Sequence, residues 1–271
     1  MVYAKRGILV RLIYLCVSIL FFIIARVRGK RAFGILVLCY HGVKNSQKMA
    51  FESQLSVIKN RVVGSKIFTS NIESHPQQLL ICLTFDDAFA NLLTNVVPTI
   101  TEIQIPVTIF VPTGDLGKCP SWLQEYGHTD SDELVMSFAQ IQALSKNKMV
   151  SFGSHTVDHL RLSFLEKEEI RDQIRISRVC ISDVTGDDIT ELALPHGDYS
   201  QVVLNVAREE GYRNVYSLEP LICNTVDGYD GALIGRFSVS PDDWPIEFYL
   251  TVNGAYAWLY PWRTLLRKFR N

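Results

Sequence analysis

An excess of charge of either sign is missing from these 271 residues: Lys and Arg number 27, Asp and Glu 28, and the formal net charge is −1. Without a long-range positive field, and with no basic cluster outside the N-terminus, the chain is not built to hold nucleic acid. Paired cysteine motifs are missing too. Cys16, Cys39, Cys82, Cys119, Cys180 and Cys223 include no CxxC spacing, which argues against a thiolate zinc site and agrees with a reducing compartment. They read as buried thiols. Internal repeats and low-complexity tracts are absent. A phosphotransferase with Asp86 as nucleophile is a remote reading, because it would need a spaced DxD and a phosphate-cradling loop, and neither occurs.

What is present is one large apolar budget of sequence: 48% of residues are hydrophobic, enough for a single core, and α/β barrels occupy this length as one domain. One stretch does not read as globular. Between Leu12 and Ala25 no charge interrupts, while Lys5, Arg6 and Arg11 precede and Arg26, Arg28, Lys30 and Arg31 follow. A spanning helix needs roughly 20 residues; the run from Ile8 approaches that if Arg11 snorkels, so residues 1–32 form a membrane anchor or an interfacial helix, and residues 33–271 a single globular domain. No small-x-small site follows the run, since Ala25 leads into Arg-Val-Arg-Gly, which favours retention over cleavage as a signal peptide. The slightly denser positive charge after the segment leans towards a membrane-associated domain on the cytoplasmic face.

From residue 35 onward, apolar or β-branched runs at 35–40, 79–85, 106–111, 149–153, 191–194 and 213–217 alternate with helical patterns at 51–61, 91–103, 137–146, 166–182 and 200–210. Such alternation signals β/α units around a parallel sheet covered on both faces. The placement of polar residues selects a barrel. His41, the pair Asp86 and Asp87, Ser154 with His155, and His196 each come just after a predicted strand, and in a β/α barrel those carboxyl ends share the face that carries the active site.

Ser154-His155-Thr156-Val157-Asp158-His159 offers two imidazoles that face one way if the turn after His155 is helical; a histidine pair on a solvated helix has the same spacing. Leu83-Thr84-Phe85-Asp86-Asp87 ends an apolar strand in adjacent carboxylates, whose side chains diverge, so that one can bind a metal while its neighbour faces the bound water; a helix N-cap with an acidic first turn is the plainer reading. Together these elements supply two imidazoles and one carboxylate with open positions, suited to a zinc-activated water or a non-haem iron oxygenase. Trp122, in a long polar loop, and Trp244 could stack on sugar rings or wall an acyl pocket.

TFDD at 84–87, HTxxH at 155–159 and Leu194-Pro195-His196-Gly197-Asp198-Tyr199 resemble the successive motifs of the polysaccharide deacetylases, carbohydrate esterase family four. Cys39-Tyr40-His41-Gly42-Val43 and Gly235-Arg236-Phe237-Ser238-Val239 resemble its exopolysaccharide-biosynthesis branch, and the likeness runs from about residue 35 to about 258. The resemblance implies a distorted (β/α) barrel and a divalent metal, zinc first, on Asp87, His155 and His159. It implies Asp86 as catalytic base, Pro195 in the substrate pocket, and the backbone N–H of His196 as oxyanion donor. The implied reaction is hydrolysis of an N-acyl group, N-acetyl first, from an amino sugar in a polysaccharide or lipid-linked glycan. The alternatives are a deformylase of a lipid-linked amino sugar and a non-catalytic glycan-binding protein on the same fold. This chain departs from the family pattern at three places. Ala88 stands where the family has glycine, Leu192 and Ala193 offer no arginine to orient the base, and the late Leu-x-His has no match. Arg236 is the candidate for the orienting role, and His41, on the branch's Tyr-His element, is the candidate general acid.

Overall fold

Two runs that are apolar at nearly every position, β1 (Gly34–Tyr40) and β2 (Leu79–Phe85), form the centre of a parallel sheet, paired from Gly34 opposite Leu79 to Tyr40 opposite Phe85 and buried throughout. The computed structural model describes residues 7–65, 78–124, 129–223 and 232–262; Lys5 and Arg6 fall outside them. β3 (Val107–Val111), β4 (Val150–Ser154), β5 (Glu191–Ala193), β6 (Asn214–Tyr216), β7 (Ala232–Ile234) and β8 (Arg236–Ser238) complete the order β7-β6-β5-β4-β3-β2-β1-β8, every neighbouring pair parallel.

β7 and β8 are consecutive in the chain yet lie at opposite ends of that order, β7 on β6 and β8 on β1. One segment, kinked at Gly235, therefore joins the two edges and closes the sheet into an uneven barrel. Only glycine fits the kink, because a Cβ at 235 would come within 2.5 Å of the Glu219 carbonyl oxygen. Alternation along the strands sorts the core into two layers. Ile35, Val37, Cys82, Phe110 and Tyr216 fill the barrel interior, while Leu36, Leu38, Ile81 and Leu83 belong to the outer cluster with the helices.

The helices are α1 (Ile8–Val27), α2 (Lys48–Ile58), α3 (Leu92–Asn95), α4 (Val97–Glu102), α5 (Ser121–Gln124), α6 (Phe138–Leu144), α7 (Lys167–Thr185), α8 (Gln201–Glu209) and α9 (Pro245–Thr251). α7 shows why these segments are helical. Ile170, Ile174, Ser177, Ile181 and Val184 form one buried stripe, Glu166 and Glu169 close a capping box, and Gly186 ends the helix at φ 77°. Ser177 also fixes α7 to the sheet through a 2.9 Å hydrogen bond with Ser154 at the end of β4.

Three expectations need correction. The single helix expected at 91–103 is split into α3 and α4 at Val96 (φ −120°), because Pro98 has no N–H for the preceding turn and its ring crowds it. Strands β7 and β8, split by the kink at Gly235, and the short helices α5 and α9, of four and seven residues, add to the six strands and five helices read from periodicity. Cys39 and Cys82 are buried, but Cys16 is exposed on α1 and the other three cysteines are half-buried.

Candidate metal centre and active site

The carboxyl ends of β1, β2, β4 and β5 deliver His41, Asp86 with Asp87, His155, and His196 to one end of the barrel. Asp87 turns away from Asp86 because its backbone enters the left-handed region (φ 68°), followed by Ala88 at φ 45°. At the position where the related family has glycine, Ala88 thus carries a conformation that costs a Cβ about 1–2 kcal/mol. Full burial and the Met136 N–H on its carbonyl (2.9 Å) hold it there.

The turn between the two histidines is not helical, contrary to the condition set by their spacing. Thr156 (φ 69°) and His159 (φ 54°) are both left-handed. Side chains impose this path: Ser154 Oγ accepts from the Thr156 N–H, Thr156 Oγ1 from the His159 N–H, and Gln173 Oε1 of α7 from the N–H groups of Val157 and Asp158. Backbone strain of this kind, concentrated at Asp87, Thr156, His159 and His196 (φ 59°), is characteristic of positions where side-chain direction has to be over-determined.

The result is a convergence of three ligating atoms. His155 Nε2 and His159 Nε2 lie 3.7 and 3.5 Å from Asp87 Oδ1. A divalent ion bound near 2.1 Å in tetrahedral geometry needs donors about 3.4 Å apart. His155 Nδ1 donates to the Ala193 carbonyl at 2.8 Å, so its Nε2 carries the free lone pair. Asp87 Oδ1 is buried without a hydrogen-bond partner among the described residues. Burial, then the neighbouring Asp86 charge, pushes the Asp87 carboxyl well above the usual carboxylate range. Burial likewise depresses His155 and, aided by the adjacent imidazoles, holds His159 well below the ordinary histidine value. Neutral imidazoles around an unpaired buried carboxylate lack only a cation, and the donor set fits a divalent metal with open positions.

Asp86 is held differently. Arg236, 1% exposed, forks onto it, Nη1 to Oδ1 at 2.6 Å and Nη2 to Oδ2 at 2.8 Å, while its Nε donates to the Ser217 carbonyl and Nη1 also reaches Thr84 Oγ1. Burial alone would raise the Asp86 carboxyl, but the guanidinium, with help from His155, outweighs it and keeps Asp86 far below the usual range. Cys39, which sequence reasoning did not single out, donates its thiol to Asp86 Oδ2 at 3.3 Å. Its signal was period two on β1, since it lies two residues before His41. Cys39, His41 and Asp86 could ligate an ion by spacing alone. The guanidinium on the same carboxylate, and a thiol that burial keeps protonated, oppose a second cation there. His41 itself is driven down to about 4, first by burial, with Asp86 opposing.

Around the cluster, Trp122 of α5 stacks on His159 (centroids 4.4 Å apart, planes at 18°) and His196 meets the same ring edge-on at 4.9 Å. Pro195 is buried beside it. Trp244, beyond the carboxyl end of β8, has its ring 4.2 Å beneath the Arg11 guanidinium of α1, a cation–π contact that occupies one face of the indole.

These elements make a parallel β/α barrel with a two-histidine, one-carboxylate cluster that could hold a metal ion and a separately anchored second carboxylate. The family model for polysaccharide deacetylases matches residues 73–215, and the chain belongs to that family. Among curated proteins it is similar to YxkH of Bacillus subtilis (strain 168), whose name places it in the same family, with 22% identity over 196 residues; the match spans 68% of this chain and 64% of YxkH. Its fold is similar to IcaB from Ammonifex degensii (TM-score 0.69, 22% identity, covering 82% of this chain and 98% of that one). It is also similar to the Streptococcus pyogenes deacetylase PplD, solved in complex with acetate (TM-score 0.64, 18% identity, covering 83% and 99%).

Proposed function

We propose that this chain is a metal-dependent hydrolase that removes an N-acyl group, acetyl in the first instance, from an amino sugar in a polysaccharide or lipid-linked glycan. The observation that carries the reading is the pairing of an unneutralised Asp87–His155–His159 cluster with an Asp86 carboxylate kept ionised and aimed by Arg236. Family membership and the acetate-bound relative support it.

Asp87, His155 and His159 would hold the ion, zinc in the first instance, and when bound it would supply Lewis acidity. Asp86 takes the proton from the attacking water as the water's oxygen bonds to the acyl carbon. The N–H groups of Gly197 and Asp198 are committed to the Leu194 and Pro195 carbonyls, and the His196 N–H beside Pro195 serves the developing oxyanion. As the C–N bond breaks, His41, neutral by its lowered value, gives its ring N–H proton to the departing amine and takes back the proton that Asp86 removed from the water, the facing atoms of the two side chains lying within 4.8 Å. Trp122 walls the acyl pocket from one side of His159.

Two outcomes are expected. Acetate release from an N-acetylated oligosaccharide should stop on chelation and return with added divalent metal; no release from any N-acetylated or N-formylated amino sugar, despite bound metal, would sink the enzyme reading. His41→Ala should lower kcat by about 10²–10⁴-fold with metal content unchanged, and a parallel loss of metal would make His41 a ligand instead. The same reading places residues 1–32 at a membrane and residues 33–271 as the catalytic domain, on the cytoplasmic face by the charge that follows α1. A reporter fused after Asn271 that is active only outside the cytoplasm would reverse that assignment.

A further inference from the structure

α1 is long and apolar enough to cross a bilayer, with 20 residues and a mean hydropathy of 2.7, yet polar contacts tie it to the barrel along most of its length. Near its start, Arg11 donates through Nε to both oxygens of the buried Glu247 of α9, at 2.8 and 3.0 Å, and covers Trp244. At mid-helix the fully buried Ser18 accepts a 2.9 Å hydrogen bond from Trp258 Nε1. Towards its end Phe22 meets the ring of Tyr249 edge-on. Arg11, Ser18 and Phe22 are seven and four residues apart, so one stripe faces the protein over about 16 Å of rise. The opposite stripe faces outward: Ile8, Leu9, Ile13, Leu20, Ile23 and Val27 are 52–82% exposed, an open apolar face of the kind that marks a membrane or protein contact.

Below the C-terminal end of α1 lies a cavity of about 470 Å³, bounded by the start of β2 and the turn after α9. Arg26, Lys30, Arg31 and Arg61 line it together with Phe22 and Trp258, Arg26 lying over the Phe22 ring at 5.0 Å, with no carboxylate among the described lining residues. No ion pair among the described residues neutralises any of the four cations. A cavity whose described lining carries four cations and no carboxylate, and which continues a broad apolar stripe, matches in charge and in polarity the anionic headgroup layer of a bilayer and the acyl boundary beneath it.

We propose that this flank is a membrane-docking face: α1 lies in the plane of the interface on its outer stripe while still attached to the barrel, and the basic cavity holds the phosphate of an anionic phospholipid. A spanning α1 would have to leave the barrel, separating Arg11 from Glu247 and exposing Ser18 and Trp258. Because Glu247 and Trp244 follow the carboxyl end of β8, the start of α1 sits beside the end of the barrel that carries the metal cluster. Docking on this flank turns that mouth along the membrane surface, where a lipid-linked or membrane-proximal glycan would meet it. The inference rests on the membrane reading of α1, and its chemistry is independent of the deacetylation reading.

The test uses the full chain and flotation with vesicles of phosphatidylcholine alone or mixed with phosphatidylglycerol. Anionic vesicles should capture the protein more strongly, and the Lys30→Glu/Arg31→Glu variant should lose about tenfold or more of that affinity while keeping its activity on a soluble oligosaccharide, which reports that it is folded. Equal capture by both vesicle types, no capture by either, or an unchanged affinity of the variant would overturn the proposal. In a Cys16→Ser background, Arg11→Cys with Glu247→Cys should be joined by a short bifunctional thiol reagent on vesicles and in detergent alike; a cross-link that forms only in detergent would show α1 leaving the barrel to span. Absent acetate release in every form would count against the deacetylase reading and would leave the vesicle result standing.

Discussion

Replacing Arg236 with methionine is expected to cost about 3–5 kcal/mol of folding stability at neutral pH, the range for removing one partner of a buried ion pair, and to lower turnover by about 10²–10⁴-fold. Both effects have one cause. Asp86 is 2% exposed and accepts two guanidinium bonds, so without Arg236 its charge is left in a site where burial opposes ionisation. The variant then binds a proton at Asp86 in the folded state, and the base is lost with the charge. The sign in pH follows. Because Arg236 holds the folded Asp86 below its unfolded value, the stability it contributes is present above the ordinary carboxylate range, near pH 4, and is lost as pH falls through the folded value. Urea unfolding in chelator should therefore show the largest gap between parent and variant at pH 7 and a smaller one near pH 4. Activity in the variant should need a higher pH to rise. Arg236→Lys keeps a charge without the fork and should fall between the two. A loss under about 1 kcal/mol, equal at both pH values, would mean that Asp86 is not held by this pair.

How much of this site is legible without coordinates depends on the range of the interaction that sets each residue. Strand-end placement is a local matter: a run of apolar residues ending in Asp86-Asp87 or Ser154-His155 announces its own boundary, and β2 begins and ends at the residues expected from that pattern. The direction of each side chain is less local. His155 and His159 converge through a left-handed turn held by Gln173 on α7, which no spacing rule specifies. Arg236 can be named as the missing orienting arginine because the usual position is empty. Its reach to Asp86, 150 residues earlier, depends on the closure of the barrel at Gly235. For Trp244, an aromatic face suggested a sugar-stacking ring, and the contact with Arg11 that covers one of its faces is a tertiary one that no local pattern specifies. For α1, hydropathy sets length and polarity but not which stripe docks; Arg11 and Ser18, which interrupt the apolar pattern, are the two residues that carried that information.

Asp87→Asn is expected to abolish measurable acetate release and to weaken divalent metal binding by more than about 100-fold, since even outer partners of metal ligands typically cost 10–100-fold. It should do so without destabilising the metal-free protein. In the absence of an ion, Asp87 Oδ1 is a buried oxygen with no partner among the described residues, next to a second carboxylate. Burial and the Asp86 charge raise its folded pKa above the unfolded value. The stability associated with that group is present below the ordinary carboxylate range and is lost as pH rises through the folded value, so the parent in chelator should weaken from about pH 4 upward. Asparagine removes the titration and should give a flatter profile and a metal-free protein at least as stable at neutral pH. Metal reverses the comparison. At a free concentration 100 times its Kd, an ion that binds only the folded state adds about 2.7 kcal/mol to the parent and little to the variant. Thermal unfolding with and without metal, across pH, measures each part. A variant that binds metal as tightly as the parent would remove Asp87 from the ligand set. A variant less stable than the parent in chelator would show that the carboxylate has a structural partner instead of waiting for a cation.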